Sequence, residues 1–182
     1  MTGDGRATEG GTTPFLPIIL IGPPGAGKTT VGTALAARLQ VPFTDTDAVV
    51  EAVAGKPVGD IFVSDGEPEF RRLEREAIAA VLDDCGGVIG LGGGAVMDEQ
   101  TRALLAGRHV VYLETAFGEL AKRVGMDRAR PLLIGTNPRA QLKALLEARL
   151  PVYDSLAWLT VDTDGRDPEA IAAEIAAVAA DQ

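Results

Sequence analysis

The sequence predicts an α/β fold, a three-layer sandwich with a five-stranded parallel sheet between helices. Three observations predict it. Short β-rich apolar runs recur five times in 182 residues, stretches with helical apolar spacing separate them, and a glycine-rich turn joins the first run to the first helical stretch.

Phe15 to Ile21 is the first run, and Gly22 to Thr29, reading GPPGAGKT, follows it directly. Val31, Leu35 and Leu39 then mark a helix. This succession satisfies both the Walker A spacing and its required context, which makes the fold a P-loop NTPase type. Gly22, Gly25 and Gly27 permit a backbone that turns successive amides inward around phosphate oxygens, at the N-terminus of the following helix. The nucleotide contacts expected here are Gly25, Ala26, Gly27, Lys28, Thr29 and Thr30. Lys28 supplies a point charge for the β and γ phosphates, Thr29 a hydroxyl for Mg²⁺, and Thr30 a further phosphate contact. A P-loop alone leaves kinases, GTPase switches, ATP-driven motors and nucleotide-binding modules open.

Val41 to Phe43 is the second run, and FTDTD places Asp45 and Asp47 at its C-terminal end, the edge where parallel sheets build their sites. Asp45 is expected to order magnesium through its water shell, and Asp47 to accept a hydrogen bond from an attacking hydroxyl as general base. Capping the helix that starts at AVVEAV is the competing role for Asp47. Farther on, Arg71 and Glu74 in EFRRLE share a helix face, where an arginine fork can grip a carboxylate; a surface ion pair competes with that role. Ile78, Val81 and Leu82 continue the helical spacing.

The third run, Val88 to Leu91, ends in Gly92, Gly93 and Gly94 rather than in an acid. Missing side chains there let backbone approach a ligand, or simply form a turn. The fourth run, Val110 to Leu113, ends in Glu114, the metal-side acid that a motor-type ATPase would use. Between about residues 125 and 137 the apolar pattern weakens around Arg128, Arg130 and Pro131, the signature of a mobile lid or of an ordinary connection. Leu159 to Val161 is the fifth run, and Pro168 opens an alanine-rich terminal helix. His109 has no second histidine to pair with, Tyr153 and Trp158 are expected to pack on the sheet, and Cys85 is expected to be a passive helix-end residue.

A single domain over residues 15–182 is expected, with residues 1–14 a polar, glycine-rich, flexible tail. The net charge of -9 argues against nucleic acid or an anionic membrane as partner, so an anionic ligand must meet clustered arginines. The single cysteine allows no internal disulfide, and neither a signal peptide nor a membrane span is seen, which fits a cytoplasmic protein.

The ordered set GPPGAGKT, DTD, DGEPEFRRLE, LGGGA, RPLL and EARLPVY resembles the shikimate kinase family, over roughly residues 18–168. The resemblance implies ATP as co-substrate, Mg²⁺ as cofactor, and transfer of the γ-phosphoryl group to the 3-hydroxyl of shikimate by a monomeric enzyme. It implies catalytic roles for Lys28, Asp47 and Arg130, and an acceptor site of Asp47, Arg71, Glu74, Gly92, Gly93, Gly94 and Arg149. Arg71 and Arg149 would grip the acceptor carboxylate, and Glu74 would orient the site. Arg123, Arg166 and Pro168 resemble the adenine surround, Arg130 the lid arginine, and Thr29 with Asp45 the metal side. Two departures stand out: Gly90 replaces a small hydroxyl residue common in relatives, and Arg128 lies beside Arg130, which is preferred because it directly precedes PLL. The alternatives are a gluconate-type sugar acid kinase and a non-catalytic nucleotide switch.

Overall fold

β1 (Ile18–Ile21) is buried on both faces because it lies in the middle of the sheet, and its four apolar residues divide between two cores by strand alternation. The computed structural model describes residues 16–84, 86–125 and 138–181. In it β2 (Phe43–Asp45), β3 (Val88–Gly90), β1, β4 (His109–Glu114) and β5 (Leu159–Asp162) form one five-stranded parallel sheet in that spatial order. Ile18 pairs in register with Val88 on one side and with His109 on the other.

Ile18 and Leu20 face α1 (Lys28–Leu39) and α8 (Pro168–Ala180), where Val31, Leu35, Ile171 and Ile175 complete a core. Ile19 and Ile21 face the other way, onto Ile78 and Leu82 of α4 (Glu67–Asp84), Leu105 of α5 (Glu99–Leu105) and Tyr153 of α7 (Pro138–Leu156). Helices therefore cover both sheet faces, as the alternation of runs and helical stretches predicts. A satellite core joins α2 (Thr46–Ala54) and α3 (Val58–Ser64) to α4 through Val50, Ile61 and Phe70. Another joins α6 (Phe117–Gly125) to α7 through Leu120, Leu142 and Leu146.

Strand boundaries differ from the apolar runs for reasons of backbone chemistry. The first strand starts at Ile18 rather than Phe15; Pro17, just before it, has no N–H to give a ladder. The second moves from Val41–Phe43 to Phe43–Asp45, because the Val41 amide closes the end of α1 on the Ala36 carbonyl at 3.0 Å. The third stops at Gly90, one residue short, although the Leu91 amide still reaches the Leu20 carbonyl. α3 and α5, seven residues each, are too short to show helical periodicity in the sequence. The expected tail, Cys85, and the lid segment with Arg128 and Arg130 lie outside the described residues. No described helix is long and apolar enough to cross a membrane.

Candidate active site

A cleft of about 920 Å³ is lined by the loop that follows β1, by the C-terminal ends of β2 and β3, and by parts of α1, α2, α3, α4, α6, α7 and α8. Gly25, Ala26, Gly27, Lys28, Thr29, Thr30, Asp45, Asp47, Arg71, Glu74, Gly92, Gly93, Gly94, Arg123, Arg149, Arg166 and Pro168 all line it. Residues spread over more than a hundred positions thus meet in one cavity. Of the expected site residues only Arg130 lies outside the described part.

At one end, Gly25 and Gly27 have φ of 87° and 92°, a region that residues with a Cβ rarely adopt. That backbone brings the loop round to the start of α1, whose first bond runs from the Val31 amide to the Gly27 carbonyl at 2.8 Å. Lys28 Nζ lies across the loop and donates to the carbonyls of Gly22 (2.8 Å) and Pro23 (3.0 Å). Arg123 reaches over from α6 and donates to the Gly25 carbonyl at 3.2 Å. Arg166 donates to the Asp162 carbonyl at 2.9 Å and pairs with Glu174, while Pro168 is the first residue of α8, behind the Asp167 cap.

Thr29 Oγ1 donates to Asp45 Oδ2 at 3.0 Å, so the Walker hydroxyl and the β2 acid stand together beside the phosphate loop. Asp45 Oδ1 meanwhile accepts from the Asp47 amide at 3.0 Å, which makes Asp45 the N-cap of α2. The capping role considered for Asp47 therefore belongs to its neighbour. Asp47, in the first turn of α2, lines the cleft instead. Hard oxygens from a hydroxyl and a carboxylate suit Mg²⁺, which keeps several waters and shares phosphate oxygens rather than demanding a full protein cage. No cluster of three or more His, Cys, Asp or Glu side chains placed to hold a metal occurs among the described residues. Glu114, the acid of the motor-type alternative, is exposed at the end of β4 and lines a separate, smaller cleft with Tyr112 and Asp162.

The other end is built around a buried ion pair. Arg71 Nη1 donates to Glu74 Oε2 at 2.6 Å, with the glutamate side chain only 2% exposed and the arginine 20%, so this is not a surface pair. Burial pushes the Glu74 carboxyl above its ordinary value and the negative charge of Asp47 adds to that, while Arg71 and Arg149 pull the other way. Next to the pair sits the glycine turn. A Cβ on Gly92 would come within 2.7 Å of carboxylate oxygens of both Asp47 and Glu74, and one on Gly94 within 2.7 Å of Arg71 Nη2. Side chains at Gly92 and Gly94 would therefore push these charged groups from their places, and one at Gly93 would meet Pro24 at 2.7 Å. Arg149 is buried, and its Nη1 donates to the Gly93 carbonyl at 2.9 Å.

Two polar residues at this end escape the sequence reading. Thr46, wholly buried between the two acids, donates to the Gly90 carbonyl (3.2 Å) and accepts from the Gly92 amide (3.3 Å), tying β3 to the start of α2. Tyr153 Oη donates to the same Gly93 carbonyl as Arg149, at 2.6 Å. Its spacing of four from Arg149 on a helix was the available signal. The ring does pack on the sheet as expected, stacked on Tyr112 with centroids 5.1 Å apart, and Trp158 meets His109 edge to face at 5.0 Å.

The family model described as "Shikimate kinase" matches residues 24–180. The chain is 63% identical over 158 residues to a shikimate kinase of Thermobifida fusca, covering 87% of this chain and 91% of that protein. It is 57% identical over 162 residues to one of Salinispora arenicola, covering 89% and 96%. A solved structure described as shikimate kinase from Acinetobacter baumannii in complex with shikimate superposes with a TM-score of 0.85 at 37% identity, over 91% of this chain and 92% of that one.

Proposed function

The chain belongs to the shikimate kinase family, and from that premise we propose a role for each part of its cleft. It is an ATP-dependent phosphotransferase. The γ-phosphoryl group passes to the 3-hydroxyl of shikimate, giving shikimate 3-phosphate and ADP. The observation that carries the acceptor assignment is the buried Arg71–Glu74 pair beside Gly92–Gly94 and Asp47, in the same cavity as the phosphate loop.

The loop amides, the α1 N-terminus and Lys28 hold the β and γ phosphates. Thr29 and Asp45 would hold Mg²⁺, which supplies charge neutralisation on the phosphate oxygens when bound. Arg123, Arg166 and Pro168 border the adenine. Arg71 and Arg149 take the acceptor carboxylate: Arg71 by releasing the long 3.4 Å contacts of its Nε and Nη2 to the exposed Glu67, and Arg149 through the NH groups beyond the one bonded to Gly93. Glu74 fixes the Arg71 fork in direction. Asp47 accepts the proton of the 3-hydroxyl as the new P–O bond forms and the bond to the β-phosphate oxygen breaks. Arg130 stabilises the charge on the transferring phosphoryl group, and the segment around residues 125–137 closes as a lid. The enzyme acts as a monomer in the cytoplasm, as one domain over residues 15–182.

A coupled ADP-release assay with shikimate, with gluconate and without acceptor tests the reading. ADP release that requires shikimate is expected. Release independent of shikimate, or specific to gluconate, would sink it.

A further inference from the structure

Among the described residues the amides of Gly93 and Gly94 donate to no protein group, whereas the carbonyl between them is held twice, by Arg149 Nη1 at 2.9 Å and by Tyr153 Oη at 2.6 Å. A trans peptide is planar, so fixing its C=O fixes the N–H on the opposite side. Holding the Gly93 oxygen therefore sets the direction of the Gly94 amide. Gly92 is held by Thr46 and by the Ala95 amide, and the Gly94 carbonyl by the Met97 amide, but the peptide between Gly93 and Gly94 is held only through this oxygen, and it must stay within a narrow gap between Pro24 on the nucleotide side and Arg71 on the acceptor side.

Arg149 alone makes a poor anchor for this peptide. Its guanidinium is drawn towards any carboxylate that enters the cleft, and a donor shared between ligand and backbone moves when the ligand does. Tyr153 has no such second task. It is wholly buried and stacked on Tyr112, and burial, opposed by Arg149, pushes its hydroxyl up to about 12, so it stays a neutral donor across the working pH range. α7 runs unbroken through Pro151, and this is what puts Tyr153 one turn below Arg149 on the same face.

We propose that Tyr153 is a positioning residue for acceptor binding: its hydroxyl holds the Gly93–Gly94 peptide in place and leaves Arg149 available to the acceptor carboxylate. This rests on the acceptor site assigned above. The test is steady-state kinetics of the full chain and of two variants, Tyr153→Phe and Tyr112→Phe. Each removes one buried hydroxyl and keeps the stacked rings, and the Tyr112 hydroxyl has no hydrogen-bond partner among the described residues. For Tyr153→Phe the shikimate KM should rise about five- to tenfold, the scale of one lost hydrogen bond, with kcat within about twofold and the ATP KM unchanged. Tyr112→Phe should match the parent in all three constants.

Equal shikimate KM values for Tyr153→Phe and the parent would overturn the proposal while leaving the acceptor site standing. So would a fall in kcat together with a rise in both KM values and a lowered Tm, which would mark a packing role only. A parent chain whose ADP release ignores shikimate would overturn the acceptor site and this inference together.

Discussion

Asp47 and Glu74 are carboxylates close enough that one methyl group on Gly92 would touch both, yet their surroundings assign them different work. Glu74 is sealed in and bonded to Arg71, which leaves it no freedom to exchange a proton with substrate. Asp47 lies in the first turn of a helix capped by Asp45, lines the cleft, and is the carboxylate proposed as base. Asp47→Asn should lower kcat by about 10²- to 10⁴-fold, the usual contribution of a positioned base, with the ATP KM little changed. Two arginines should separate in the same assay. Arg71→Ala should raise the shikimate KM at least tenfold through loss of a carboxylate contact and stranding of the Glu74 charge. Arg130→Ala should leave both KM values nearly intact and lower kcat by about 10³- to 10⁵-fold, roughly 4 to 7 kcal/mol of barrier. Comparable small effects from both would contradict this division. At this scale the sequence was most informative, because Gly27, Lys28, Thr29 and the acids of FTDTD announce chemistry by type and spacing. It was least informative at Thr46 and Tyr153, whose value comes from backbone groups more than forty residues away in the chain.

Elements were legible where one pattern dominated and obscure where two signals competed. β1, buried on both faces, reads as an apolar run, and α8 begins at Pro168 with Asp167 as cap, as proline at a first helical position foretells. β2 did not read correctly, because the Val41 amide finishes the preceding helix and the strand is carried by Phe43, Thr44 and Asp45. Pro151 sits inside α7, where a sequence reader would expect a break. It is tolerated because both it and Glu147, the residue whose carbonyl it cannot satisfy, lie on the exposed side. Asp98 gives a measurable element-scale effect. Its Oδ1 accepts from the Thr101 amide at 3.0 Å as cap of α5, and its Oδ2 pairs with Arg75 of α4 at 3.1 Å. Desolvation raises its pKa, but the Thr101 bond and Arg75 outweigh this, and the net shift is downward. A depressed carboxyl contributes stability that is present above its unfolded-state pKa and is lost as pH falls through the lower folded value. Asp98→Ala should therefore cost about 1–2 kcal/mol at pH 7, with the difference from the parent shrinking below about pH 4. Denaturant unfolding across that range checks both the size and the sign.

The whole molecule carries a net charge of -9, yet its main cleft sets Lys28, Arg71, Arg123, Arg149 and Arg166 against the carboxylates Asp45, Asp47, Glu51, Asp60 and Glu74, so that its lining is balanced rather than acidic. Nucleotide and acceptor are both anions, so the field that matters is local, and the acidic remainder discourages binding to nucleic acid. The two ends of the cleft should answer to ligands separately in a thermal unfolding assay. A ligand at about a hundred times its Kd adds roughly 2.7 kcal/mol to the folded state. Lys28→Ala should lose most of the Tm rise given by MgATP and keep that given by shikimate, and Arg71→Ala should do the reverse. Loss of both shifts in either variant would mean that the cleft does not divide as proposed.

The helix that presents the phosphate loop takes its seat from a distant part of the chain. Val31 and Leu35 of α1, whose first turn follows Gly27, are covered by Ile171 and Ile175 of α8. Loosening α8 would bare the apolar back of α1 to water and leave the loop less firmly held. A disturbance there therefore reaches the phosphate loop from behind, through packing, without touching a nucleotide.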